Sequence, residues 1–159
     1  MAVWRPTLLA GGLLVSICSR VPAQEAPPEW LARMALPRWV DSVMGPLLLH
    51  RRYTLGLRLN PFFQVGDFDA DQRPDAAVFV RDGSSGKEGI LLLRRADPRP
   101  VPIGAGQSFG NGGDDFTWLE IWRMEPGRRG DQLVVEKSES ASGAITWDGR
   151  GYGWTQLAD

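Results

Sequence analysis

Residues 67–75 read Asp-Phe-Asp-Ala-Asp-Gln-Arg-Pro-Asp, with a carboxylate at every second position except 73. If the backbone curls around an ion, Asp67, Asp69 and Asp71 project toward one centre. Hard cations such as calcium take six or more oxygens, and a short loop with this spacing supplies them from one side. Asp67, Asp69 and Asp71 then take the first, third and fifth ligand positions. The Arg73 carbonyl takes the seventh, and Asp75 the ninth, directly or through water. An EF-hand shares the early positions but needs Gly at the sixth and a bidentate Glu at the twelfth. This chain has Gln72 and Val78 there. The flanks, Phe62-Phe63-Gln64-Val65 and Ala76-Ala77-Val78-Phe79-Val80, are rich in β-formers, so the spacing predicts a strand–loop–strand site. The competing reading is a solvated acidic turn in which Arg73 or Arg81 pairs with some of the Asp side chains. The alternate spacing suits oxygen ligation better than it suits pairing with arginine.

The run Gly66-Asp67-Phe68-Asp69-Ala70-Asp71, followed by Asp75-Ala76-Ala77-Val78, resembles the calcium loop of FG-GAP (VCBS-type) repeats. The likeness covers roughly 20 residues as a loop signature. It implies one structural calcium site and a blade-like β-sheet, since such repeats form β-propeller blades in integrin-like and secreted bacterial proteins. Gln72 departs from the family, which usually has Gly there. A propeller needs several four-stranded blades, and one clear copy in 159 residues does not make one. Phe109–Phe116 and Glu136–Gly143 more weakly resemble small secreted bacterial proteins with a single such loop, which implies no activity.

Other residues carry less chemistry. Gly106-Gln107-Ser108-Phe109-Gly110 has the Gly-x-Ser-x-Gly spacing of a nucleophile elbow. That motif needs a strand before it and a helix after it. Here a Pro-rich connector precedes it and further glycines follow. The one histidine, His50, lies upstream in a helix-like segment, so Ser108 and His50 are expected to be neither nucleophile nor base. Asp114, Asp115, Glu120 and Glu136 are acids that a glycosidase would use, but their separation is not a sequence property. Asn111 beside Asp114 and Asp115 reads as turn and cap chemistry. Of seven tryptophans, six follow residue 23, and core burial accounts for them better than an exposed sugar-stacking row.

The N-terminus has Arg5, an apolar run from Leu8 to Cys18, and Val21-Pro22-Ala23. This is the pattern of a secretory signal peptide over residues 1–23, cut after Ala23. Residues 24–28 then form a mobile leader. The run is short for a bilayer span, so no stable membrane insertion is expected after cleavage. Ile17 before Cys18 argues against a lipoprotein anchor. The formal charge is −1, and removing residues 1–23 takes away Arg5 and Arg20 and no acid, which leaves −3. The scattered basic residues do not make a nucleic-acid surface. Cys18 is the only cysteine, so the mature chain has no disulfide, and a cation bound only by the folded state would supply stability in its place.

These residues must be positioned by one domain, residues 29–159. Apolar spacing predicts helix from Glu29 to about Arg52. Pro37 can open a helix, and Gly45-Pro46 is expected to break or kink it, giving two short helices. Strands are predicted at 55–59, 62–65, 76–81, 89–94, 117–124, 132–137, 144–147 and 150–156. The last two form a hairpin around Asp148-Gly149, with Trp147 facing Arg150 and Ile145 facing Tyr152. The fold class is α+β, mostly antiparallel β, with two short N-terminal helices packed on a β-meander or blade-like sheet. The expected function is that of an exported, non-enzymatic binding or interaction domain with a structural Ca2+ loop, acting on a protein or glycan of the cell envelope in the periplasm or outside the cell. The alternative is a secreted hydrolase of polysaccharide or peptidoglycan with its acids in the Gly104–Glu120 region.

Overall fold

The computed structural model describes Met1 and residues 27–97 and 99–158. The signal peptide, except Met1, and leader residues 24–26 lie outside the described residues. Two helices come first, α1 (Glu29–Arg33) and α2 (Arg38–Leu49). Nine strands follow: β1 (Tyr53–Leu55), β2 (Phe63–Gly66), β3 (Asp75–Asp82), β4 (Glu88–Leu93), β5 (Val101–Gly104), β6 (Ile121–Pro126), β7 (Asp131–Lys137), β8 (Ala141–Trp147) and β9 (Tyr152–Ala158). All pairings are antiparallel, and the strands form two open sheets. In the first, β3 pairs with β4 and β4 with β5, while β1 and β2 lie in tandem along the other edge of β3. The second is a plain meander, β6-β7-β8-β9.

The layering follows from strand periodicity. Successive side chains of a strand point to opposite faces, and β3 and β4 are apolar on both. Ala76, Val78, Val80, Leu91 and Leu93 face the helices, where Val40, Met44 and Leu48 of α2 meet them. Ala77, Phe79, Ile90 and Leu92 face the second sheet, with Leu133, Val135, Ile145 and Trp122 opposite. The first sheet is therefore the middle layer of three. Among the described residues no helix is long and apolar enough to cross a membrane.

Several boundaries differ from the sequence reading. The helical segment breaks at 34–37, with Pro37 as the N-cap of α2, and α2 runs through Gly45-Pro46 to the His50 cap, whose N–H donates to the Pro46 carbonyl. The Pro46 ring is on the exposed side, and burial of Met44 and Leu48 on the opposite face holds the helix across the missing N–H. The strand predicted at 55–59 is Tyr53–Leu55 instead. No strand is predicted at β5, which lies between the Pro-rich connector and the glycine-rich loop and contains Pro102; Ile103 is nonetheless fully buried. The strand predicted at 117–124 starts later, at Ile121. The last hairpin pairs Trp147 with Tyr152 and Ile145 with Trp154, two residues out from the predicted register. Asp148 draws the turn to four residues by accepting the amides of Arg150 and Gly151 at 2.7 and 2.8 Å. An even shift leaves the same side chains on the same face.

Candidate metal centre

The loop 67–74 closes the β2–β3 hairpin, whose last pair is Gly66 with Asp75. Its inner anchor is Phe68, only 1% exposed between the sheets. With Phe68 held inward, the alternating Asp side chains turn the other way. One oxygen from each of Asp67, Asp69 and Asp71 lies within 4.8 Å of the others. Asp67 braces the loop, its Oδ1 accepting the Asp71 amide and its Oδ2 the Gln72 amide, both at 3.0 Å. Asp71 Oδ1 accepts the Arg73 amide at 2.8 Å. Two residues adopt left-handed backbone to make the curl, Ala70 (φ 61°) and Gln72 (φ 65°). The sixth loop position thus takes the conformation that glycine would take freely.

The electrostatics are those of crowded carboxylates without an ion-paired cation among the described residues. Burial raises the pKa of Asp69, Asp71 and Asp67 add to the rise, and the charge of Arg94 opposes it. Asp69 Oδ1 is buried with no hydrogen-bond partner. Asp75 does not join the other three at the 4.8 Å spacing. It is fully buried, and its oxygens accept the Arg95 amide at 2.7 Å and the Phe68 amide at 3.1 Å. Burial pushes its pKa up to about 6, with Asp69 and Asp71 contributing. Among the described residues no ion pair reaches Asp67, Asp69, Asp71 or Asp75. Arg81 instead binds Glu88 at 2.7 Å. Arg73 is exposed, its amide engaged with Asp71.

The second sheet supplies groups that sequence reasoning missed. Asp131, at the start of β7, accepts the Asp67 amide on Oδ2 at 2.8 Å, and its own amide donates to the Asp67 carbonyl at 2.7 Å. Gly130 allows that approach, since a Cβ there would lie 2.3 Å from the Asp67 carbonyl oxygen. Arg94 lies with its guanidinium 5.8 Å from the Trp147 ring centre, and Trp147 packs on Tyr152 at 4.9 Å. The Tyr152 hydroxyl and Arg94 Nε are, with Asp69 Oδ1, the buried side-chain atoms without partners among the described residues. Burial raises the Tyr152 pKa, and Asp75 and Asp69 raise it further. Nothing in the local spacing of Asp131 or Tyr152 marks them, because they reach the loop only through sheet packing. The loop and its surroundings form an acidic cluster that could hold a metal ion.

The other candidate residues are engaged elsewhere or stand apart. Asp114 pairs with Lys87. Asp115 Oδ1 accepts the Glu88 amide at 3.0 Å and the Thr117 amide at 3.1 Å. Glu120 accepts the Ser138 amide at 3.0 Å, and Glu136 pairs with Arg123 at 2.7 Å. His50 caps α2 exposed to solvent, and Ser108 is an exposed loop residue. Trp122 is 5% exposed in the core between the sheets, as core burial requires, while Trp30 is 67% exposed on α1. No protein-family model, curated protein or solved structure matches the chain.

Proposed function

We propose that this chain is an exported, non-enzymatic binding domain whose loop 67–75 holds a structural calcium ion in the manner of an FG-GAP loop. The observation that carries the metal reading is the convergence of Asp67, Asp69 and Asp71 around a buried, unpartnered Asp69 oxygen, with no cation of the described residues ion-paired to them. An all-oxygen set of carboxylates suits a hard divalent cation rather than zinc or copper. Asp67, Asp69, Asp71 and the Arg73 carbonyl would hold the ion, with Asp75 behind them directly or through water. Bound there, it supplies positive charge to carboxylates that otherwise repel. The binding role is supported by the engagement of Asp114, Asp115, Glu120 and Glu136 in bracing bonds, which leaves the hydrolase alternative without an idle pair of acids. Export rests on the leader pattern of residues 1–23.

Calorimetric titration with calcium, and thermal melting with and without chelator, test the metal. The expected result is one binding event and a lower Tm in chelator. Asp69→Asn is expected to abolish the calcium effect while raising the Tm of the metal-free protein, because it removes a half-buried charge that Asp71 and Asp67 repel. A silent titration together with a chelator-independent Tm sinks the calcium loop. N-terminal sequencing of the exported protein tests cleavage after Ala23, and an intact Met1 would refute it.

A further inference from the structure

The glycine-rich stretch and two tryptophans are not accounted for by the metal loop. Gly110–Gly112 forms a 3-10 turn that lies directly on Trp154. A Cβ on Gly110 would stand 2.4 Å from the Trp154 Cβ, and one on Gly112 2.9 Å from its Cζ3. Gly143 of β8 also leaves space for the ring, with 2.1 Å between a Cβ there and Cζ2. Three glycines thus seat one indole. Trp118 meets it edge to face, with ring centres 6.3 Å apart. Beside the pair opens a cavity of about 410 Å3, walled by Asn111, Trp118, Lys137, Ser142, Trp154 and Gln156.

The lining has a definite chemistry. Both indole N–H groups are engaged inside the protein, Trp118 donating to the Gly112 carbonyl at 3.0 Å and Trp154 to Gln156 Oε1 at 2.9 Å. The tryptophans therefore line the cavity with ring carbon rather than with N–H groups. The rim is polar. Lys137 Nζ, Ser142 Oγ and Asn111 Oδ1 have no hydrogen-bond partner among the described residues, and Asn111 Nδ2 makes one long bond of 3.4 Å to Gln156. Aromatic surface beside amide, hydroxyl and ammonium groups is complementary to a pyranose ring, which has an apolar C–H face and a rim of hydroxyls. A single ammonium, that of Lys137, among neutral amide and hydroxyl groups does not make the cavity an anion site.

We propose that the Trp118–Trp154 cavity is a saccharide-binding site that takes one pyranose ring of a neutral glycan. This rests on the binding-domain reading and gives its ligand class, but it does not require calcium. The wider cleft along Arg128, Arg129 and Asp148 lacks a pair of aromatic rings, and its Arg129 is already bonded to the Asp148 carbonyl.

The test uses the mature chain with 15N-labelled indoles, titrated separately with chitopentaose, cellopentaose, xylopentaose and maltopentaose. At least one is expected to shift the Trp118 and Trp154 indole signals with a Kd of about 1 mM or tighter. Asn111→Ala, at an exposed position, is expected to weaken binding about fivefold or more with an unchanged Tm. Trp118→Leu is expected to weaken it about tenfold or more. No response to any of the four sugars overturns the proposal, as do shifts that map to the Arg128–Asp148 cleft or undiminished binding by both variants. Sugar binding with a silent calcium titration removes the calcium reading and supports this one. Calcium binding without a sugar response removes this one alone. Sugar bound at these indoles and then cleaved supports the site and replaces the non-enzymatic reading.

Discussion

Gln72 occupies the left-handed region at φ 65° because its amide must reach Asp67 Oδ2 at 3.0 Å. For a residue with a Cβ that conformation costs about 1–2 kcal/mol. Glycine avoids the cost but loses about 0.5–1 kcal/mol through the freedom of its unfolded chain. Gln72→Gly is therefore expected to stabilise the domain by up to about 1 kcal/mol. Urea unfolding measures this, and a clear loss of stability would show that the Gln72 side chain supports the loop. Asp82 presents a second residue-scale effect. It closes the β3–β4 turn by accepting bonds from the Ser84 hydroxyl and the Ser85 amide at 2.6 and 2.8 Å. The Ser84 hydroxyl, then the Ser85 amide, lower its pKa to about 2. A carboxylate depressed by folding contributes stability that is present above its unfolded pKa, near 4, and is lost as pH falls toward 2. Asp82→Ala is expected to flatten the stability profile between pH 4 and 2, and an unchanged acid limb would contradict this.

At the scale of elements, the metal loop is built by one hairpin and clamped by a turn from the other sheet. The clamp is the reciprocal pair of backbone and carboxylate bonds between Asp67 and Asp131, made possible by Gly130 at φ 72°. A methyl at 130 meets both the Asp67 carbonyl and a backbone angle it resists. Gly130→Ala is expected to cost about 2 kcal/mol or more and to weaken calcium binding. Wild-type stability and affinity in that variant would mean the β6–β7 turn does not hold the loop. The loop's existence was legible from its Asp spacing and β-forming flanks. Its clamp was not, because Asp131 is an ordinary acid at the start of a strand until two sheets pack. The same holds for α2. Pro46 reads as a break locally, yet burial of Met44 and Leu48 against the first sheet carries the helix past it.

Across the whole molecule, the two sheets are also joined through Glu88, 2% exposed at the start of β4. It binds Arg58 at 2.6 Å and Arg81 at 2.7 Å. Arg58 in turn donates to the carbonyls of Phe116 and Leu119 on the segment entering the second sheet and lies 4.9 Å from the Phe79 ring. Removing Glu88 takes away charge-assisted bonds, but Arg58 and Arg81 are 36% and 56% exposed and water partly replaces their partner. Glu88→Ala is expected to destabilise the domain by about 1.5–3 kcal/mol, measured by equilibrium unfolding. A loss under about 1 kcal/mol would show that the two arginines find other partners. The sequence alone determined the mostly antiparallel β class, the pair of N-terminal helices and the acidic loop between strands. Those depend on side-chain period, turn residues and ligand spacing, which act over a few residues. Tertiary structure alone decided that the strands divide into two sheets, that one sheet is buried on both faces, and that Asp131, Tyr152 and Arg94 gather at the loop. It also decided that Trp118 and Trp154 wall one cavity. These are contacts between residues far apart in the chain, selected by which apolar faces bury each other, and no local pattern encodes them.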